Sequence, residues 1–92
     1  MVVVIPAYEP DEKLLGVIEH FQEKAPSFPI IVVNDGSSQK SNSIFNAVRG
    51  MQGVTLLQHS VNKGKGCALK TAFKYIYFNH LLFHFFLLYI FT

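Results

Sequence analysis

Two short runs, residues 2–5 (VVVI) and 30–33 (IIVV), constrain the fold most, because each is continuously apolar and β-branched and breaks at once into a polar tip. A half-exposed strand alternates apolar and polar residues. Unbroken runs of this length belong to strands covered on both faces, as in a parallel sheet flanked by helices. In such a sheet the carboxyl ends of the strands lie side by side, and ligands bind in the crevice there. The tips Pro6-Ala7-Tyr8-Glu9 and Asn34-Asp35-Gly36-Ser37-Ser38 therefore mark one rim, suited to a nucleotide.

Between the two runs, Pro10, Asp11 and Glu12 read as a helix start, since proline is tolerated at the first helical position and acids favour the positive end of the helix dipole. Leu14, Leu15, Ile18, Phe21 and Ala25 then recur at helical spacing until Pro26 and Pro29 end the element. Ile44, Phe45, Val48 and Met51 mark a second, shorter helix after several serine caps. Gly53 leads into a third strand over 54–58. A third helix opens near Lys65 or Gly66, with Leu69, Ala72, Phe73 and Ile76 inward and Lys70 and Lys74 outward. The order βαβαβα, with helices near 11–25, 41–52 and 66–77, predicts a Rossmann-like α/β fold of three layers. Right-handed crossovers make its three strands parallel, in the spatial order 3-2-1. The first strand is then left as an exposed edge.

A chain of 92 residues forms one small domain. Its 50% hydrophobic and 15% charged content argue against disorder, and a net charge of +2 is too small to indicate nucleic acid as a partner. The lone Cys67 excludes an internal disulfide and fits a reducing compartment. The apolar run at the start has strand length, not the length of a leader's core, so a cytoplasmic location is expected.

The segment 62–71, N-K-G-K-G-C-A-L-K-T, is a glycine- and lysine-rich loop running into a helix. Free amides, the helix dipole and Lys63 or Lys65 there suit a diphosphate. It is not a Walker loop, because His59 stands where the first glycine belongs and Gly66 where Ser or Thr is required. Nor is it a dinucleotide fingerprint, since Leu69 replaces the third glycine. A solvated, lysine-bearing turn remains the plain alternative. His80 and His84 share the i, i+4 spacing of two ligands on a helix face but have no third partner, so no metal role is assigned. His20 and His59 read as surface or supporting residues and Cys67 as a small packing residue. No Ser/His/Asp constellation is assigned.

Taken together, P-A-Y-E, N-D-G-S-S and N-K-G-K-G-C-A-L-K-T resemble family 2 glycosyltransferases of the GT-A fold, most closely the polyprenyl- and dolichyl-phosphate sugar transferase branch. The resemblance covers residues 2–77. It implies an enzyme that transfers a hexose from a UDP- or GDP-sugar, with inversion, to a polyprenyl-phosphate or glycan acceptor, as in the building of cell envelope polysaccharide. A Mg²⁺ or Mn²⁺ ion on the donor diphosphate is implied as well. By residue, it implies that Pro6, Ala7, Tyr8 and Glu9 lie against the nucleoside, with Tyr8 flanking the base and Glu9 accepting from ribose hydroxyls or base nitrogens. Asp35 then accepts the imino N–H of uracil or an N–H edge of guanine, beside Ser37, and Gly36 admits a close approach of backbone. Lys63, Gly64 and Lys65 take the diphosphate. Each role has a structural alternative: a strand end with a helix cap for Tyr8 and Glu9, and capping of local amides for Asp35.

In that family the next strand ends in an acidic D-x-D-like motif that holds the metal, and a catalytic carboxylate lies further on. The carboxylates here are Glu9, Asp11, Glu12, Glu19, Glu23 and Asp35, and none follows position 35. No catalytic or metal-ligating residue is therefore assigned. The expectation is an N-terminal fragment whose residues 1–77 form the nucleotide-binding part, inactive alone. Residues 78–92 form an apolar tail. The uncharged stretch 75–91 is about 17 residues long, the lower limit of a membrane span, and Asn79, His80 and His84 weaken insertion. Its Phe, Leu, Tyr, Ile, Asn and His content matches translated AT-rich DNA, which favours an out-of-frame tail over a membrane contact at the inner face or a folded segment. A non-catalytic nucleotide-binding or partner-interaction module is the alternative function.

Overall fold

The computed structural model describes residues 1–79 and the backbone of 86–88. The elements are β1 (Val2–Ala7), α1 (Lys13–Lys24), β2 (Ile30–Asp35), a 3-10 turn (Gln39–Ser41) leading into α2 (Asn42–Arg49), β3 (Val54–His59), α3 (Lys65–Phe78) and β4 (Phe86–Leu88). All strand pairs are parallel, and the sheet order is β3-β2-β1-β4. The fold is α/β, consistent with part of a GT-A domain.

Period-two alternation divides β1 and β2 between two cores. Val3, Ile5, Ala7, Ile30 and Val32 pack with Leu14 and Ile18 of α1 and Phe45 and Val48 of α2. Val2, Val4, Ile31 and Val33 face the other way, against Ala68, Ala72 and Ile76 of α3. Both strands are buried on both faces, which is why they lack a polar repeat. Burying a Val, Leu or Ile side chain contributes roughly 1.5 to 3 kcal/mol, so these two layers dominate the stability. On α3, Ala68 joins the expected inward residues Ala72 and Ile76. Its lack of bulk lets the helix start lie close over the sheet.

Three expectations need correction. Pro10 is not the first helical residue: it is buried ahead of α1, and Asp11 accepts the Lys13 amide on its Oδ1 at 2.9 Å while its carbonyl accepts from Leu14. The second helix is shorter than 41–52, because a 3-10 turn occupies its start and Gly50 follows its last residue. The first strand is not an edge, since Val2, Val3 and Val4 pair with Phe86, Leu87 and Leu88. A completely buried strand with an unpaired row of N–H and C=O groups would be costly, and β4 satisfies that row. The sheet thus has a fourth strand, contributed by the tail. The rest of the tail, including His80 and His84, lies outside the described residues. Among the described residues no helix is long and apolar enough to cross a membrane.

Candidate functional site

β1 and β2 run in register to their tips, Ala7 lying beside Asn34, and β2 continues in register with β3, Asp35 lying beside His59. The three carboxyl ends therefore share one rim. Alternation sends Asn34 to the α1/α2 side and Asp35 to the α3 side, so each tip residue meets a different neighbour.

Asn34 is buried and turns the chain, its Oδ1 accepting the Ser37 amide at 3.0 Å. Gly36 follows with φ of +72°, a left-handed conformation that costs glycine nothing. Its missing side chain matters as much. A Cβ there would fall on the backbone of Val61 and Asn62, so the loop after β3 can settle on this tip only because position 36 is glycine.

That loop is held by Asp35. Asp35 is 4% exposed, and its carboxylate accepts three bonds from its own chain. Oδ1 takes the Lys63 amide at 2.9 Å and the His59 ring at Nδ1, 2.8 Å away, and Oδ2 takes the Gly64 amide at 2.9 Å. Burial pushes the carboxyl pKa up. The Lys63 amide, the His59 ring and the Gly64 amide outweigh it, and hold the group below its ordinary value. A carboxylate has about four lone-pair sites, so one on Oδ2 is left. The amide within the turn, that of Ser37, is taken by Asn34 and not by Asp35, whose amide partners lie in the loop after β3.

His59 passes the connection on. Its Nε2 lies 2.7 Å from the Thr71 hydroxyl in α3, and that hydroxyl lies 3.0 Å from the Cys67 carbonyl. Gly64, with φ of +90°, ends the loop, and α3 starts at Lys65. The first helical bond from this turn runs from the Ala68 amide to the Gly64 carbonyl. The amides of Lys65, Gly66 and Cys67 therefore have no acceptor within the helix. Lys63 and Lys65 extend into solvent beside them.

Glu9 closes the other side of the rim. It adopts φ of +50°, unusual outside glycine, asparagine and aspartate. Its amide donates to Ser37 Oγ at 2.9 Å, and its carboxylate accepts both the amide and the hydroxyl of Ser38. The Ser38 amide, then the Ser38 hydroxyl, lower the Glu9 pKa, with a smaller contribution from Lys40. Tyr8 stands beside it, 38% exposed, whereas Pro6 and Ala7 are buried in β1.

The fold joins several of the residues that the sequence marked. Glu9 meets Ser37, Asp35 meets Lys63 and Gly64, and Gly36 meets the loop before Lys63. Sequence reasoning missed Thr71 as a member of the cluster and gave His59 only as a surface or supporting residue. His59 was visible only as a strand-end histidine, because its placement opposite Asp35 depends on the β2–β3 register.

These three motifs on one α/β rim have a family counterpart. The chain matches the sequence profile of glycosyl transferase family 2 over residues 2–83. It belongs to that family. The match runs past residue 77, where the resemblance carried by the three motifs ends. Among curated relatives, a dolichyl-phosphate beta-glucosyltransferase of Trichomonas vaginalis is 33% identical over 74% of this chain and 24% of its own length. An uncharacterized protein of Methanocaldococcus jannaschii is 36% identical over 78% of this chain and 28% of its own. The chain spans about a quarter of the length of these relatives. No solved structure matches it.

Glycosyl transferase family 2 implies a divalent ion on the donor. The described residues do not fit one: no group of three His, Cys, Asp or Glu side chains comes together among them. Glu9 and Asp35, the two rim carboxylates, are engaged by Ser38 and by the 63–64 amides with His59.

Proposed function

We propose that the rim binds the nucleoside diphosphate part of a UDP- or GDP-sugar, within a glycosyltransferase that passes the hexose to a lipid-phosphate or glycan acceptor. The observation that carries this reading is the convergence of both strand tips with the loop that opens α3. In it, Tyr8 flanks the base, and the ribose lies near the Glu9 and Ser37 turn. The diphosphate lies over the start of α3, where the Lys65, Gly66 and Cys67 amides, the positive end of the helix dipole and the Lys63 and Lys65 side chains all favour an anion. Asp35 acts chiefly by anchoring the loop, and its remaining Oδ2 lone pair is available to a base N–H. The acceptor class follows the relative from Trichomonas vaginalis, whose name specifies dolichyl phosphate.

Catalysis needs groups that these residues do not supply. Neither rim carboxylate is free to deprotonate an acceptor, so the 92-residue chain alone should turn over no UDP- or GDP-hexose with Mn²⁺ present. Amide NMR during titration with UDP and GDP, with ATP as a control, tests the binding reading. Shifts at Tyr8, Gly36 and residues 63–67 that saturate with UDP or GDP and not with ATP support it. Absence of any rim shift at millimolar UDP and GDP removes it.

A further inference from the structure

Both nitrogens of His59 are engaged within a side chain that is only 7% exposed, which excludes it as a proton carrier in the crevice. It is not a core histidine either, since its partners belong to the rim. A carboxylate can only accept, so Nδ1 carries the proton toward Asp35. On its far side Nε2 lies against the Thr71 hydroxyl, which also reaches the Cys67 carbonyl in the preceding turn of α3; the one hydroxyl hydrogen serves Nε2 or that carbonyl. The ring therefore spans from the anchor of the 62–64 loop to the body of the helix that the loop begins. Without that link, Asp35 would hold the loop but not the loop's orientation relative to α3.

We propose that His59 is a positioning residue for the phosphate end of the crevice, locking the 62–64 loop to α3 through Asp35 on one side and Thr71 on the other. This rests on the nucleotide-binding reading above. His59 touches no ligand in it. Its effect falls on the Lys65, Gly66 and Cys67 amides, whose common direction depends on how the loop enters the helix. It should therefore act on phosphate groups and not on the nucleoside.

The test compares wild type with H59F, H59N and T71V, titrated with UDP, GDP, uridine and guanosine. H59F should lose about tenfold or more in affinity for the diphosphates and under about threefold for the nucleosides. T71V, which removes only the far link, should lose roughly threefold for the diphosphates. H59N, which keeps a donor toward Asp35, should recover part of the H59F loss. Equal losses for nucleosides and diphosphates, or no loss, overturn the proposal. If wild type binds neither UDP nor GDP, the nucleotide reading falls, and hydrogen exchange in the ligand-free chain decides the role of His59. Exchange of the Lys63 and Gly64 amides about tenfold faster in H59F and T71V then supports the link, and unchanged exchange overturns it. Should H59F fail to fold, T71V decides the matter on the same readouts.

Discussion

Glu9 and Asp35 perform the same task on neighbouring strand tips: each carboxylate accepts amides from an adjoining segment and ties it to the rim. Their surroundings differ. Glu9 is exposed, and its carboxylate bonds one residue, Ser38, on the neighbouring strand tip. Asp35 is buried and gathers three donors, two from a loop and one from a strand. Water competes with every bond of Glu9, whereas little reaches the Asp35 carboxylate, so loss of Asp35 leaves part-buried partners without an acceptor. Equivalent chemistry thus becomes a fastener in one place and a keystone in the other.

The largest effect should come from Asp35→Ala, which leaves the Lys63 and Gly64 amides and the His59 ring without their acceptor. Chemical denaturation should show a loss of about 3 kcal/mol. Glu9→Ala should move the midpoint far less, and an equal shift for the two variants would break the comparison. Gly36→Ala should follow, at roughly 2 kcal/mol, from the left-handed backbone and the collision with Val61 and Asn62. Its damage should appear in the 61–64 amides by NMR while the Ser38 amide keeps its place. Damage at Ser38 first would show that the two halves of the rim are not separable.

Ligand binding sharpens the comparison at smaller scale. UDP or GDP affinity should fall by about 1 to 3 kcal/mol in Asp35→Ala and by roughly 0 to 1 kcal/mol in Lys63→Ala, whose charge is screened by water. Titration curves that coincide for wild type and Asp35→Ala would remove Asp35 from the site.

The smallest effect concerns acid. The folded Asp35 pKa lies below its ordinary 3.8, so the stability it contributes is complete above that value and declines as pH falls through the folded pKa. Glu9 has the same sign, below an ordinary 4.5. Denaturation midpoints between about pH 5 and 2 should fall with a slope that Asp35→Asn flattens more than Glu9→Gln does. The reverse ranking would mean that the exposed tie is the stronger.

Much of this was legible in the sequence, for reasons that differ by element. β1 and β2 announced themselves because strands buried on both faces need unbroken apolar runs, and their tips followed from the abrupt change to polar residues. α1 was legible in its apolar spacing but not in its start, because Pro10 satisfies the rule for a first helical residue yet lies buried ahead of the helix. β4 was hidden. Its Phe-Leu-Leu lies in a stretch of similar residues with no period to distinguish strand from helix, and only the unpaired side of β1 calls for it. In the site, Gly36, Asp35 and Gly64 stood out by type. His59 and Thr71 did not, because nothing local links a strand end to a residue two turns into a helix; only the register and the packing of α3 bring them together.

The pairing of Val2–Val4 with Phe86–Leu88 has a consequence for synthesis. Of the four strands β1 leaves the ribosome before the others, and its partner on one side, β2, follows within the next thirty or so residues. Its partner on the other side comes about fifty residues after β2 ends, roughly 3 to 10 seconds later at ordinary translation speed. Throughout that interval the nascent chain presents an open, fully apolar strand edge, an invitation to chaperones or to another chain. Yield in the cell should then depend on how quickly β4 emerges, independent of how stable the finished sheet is.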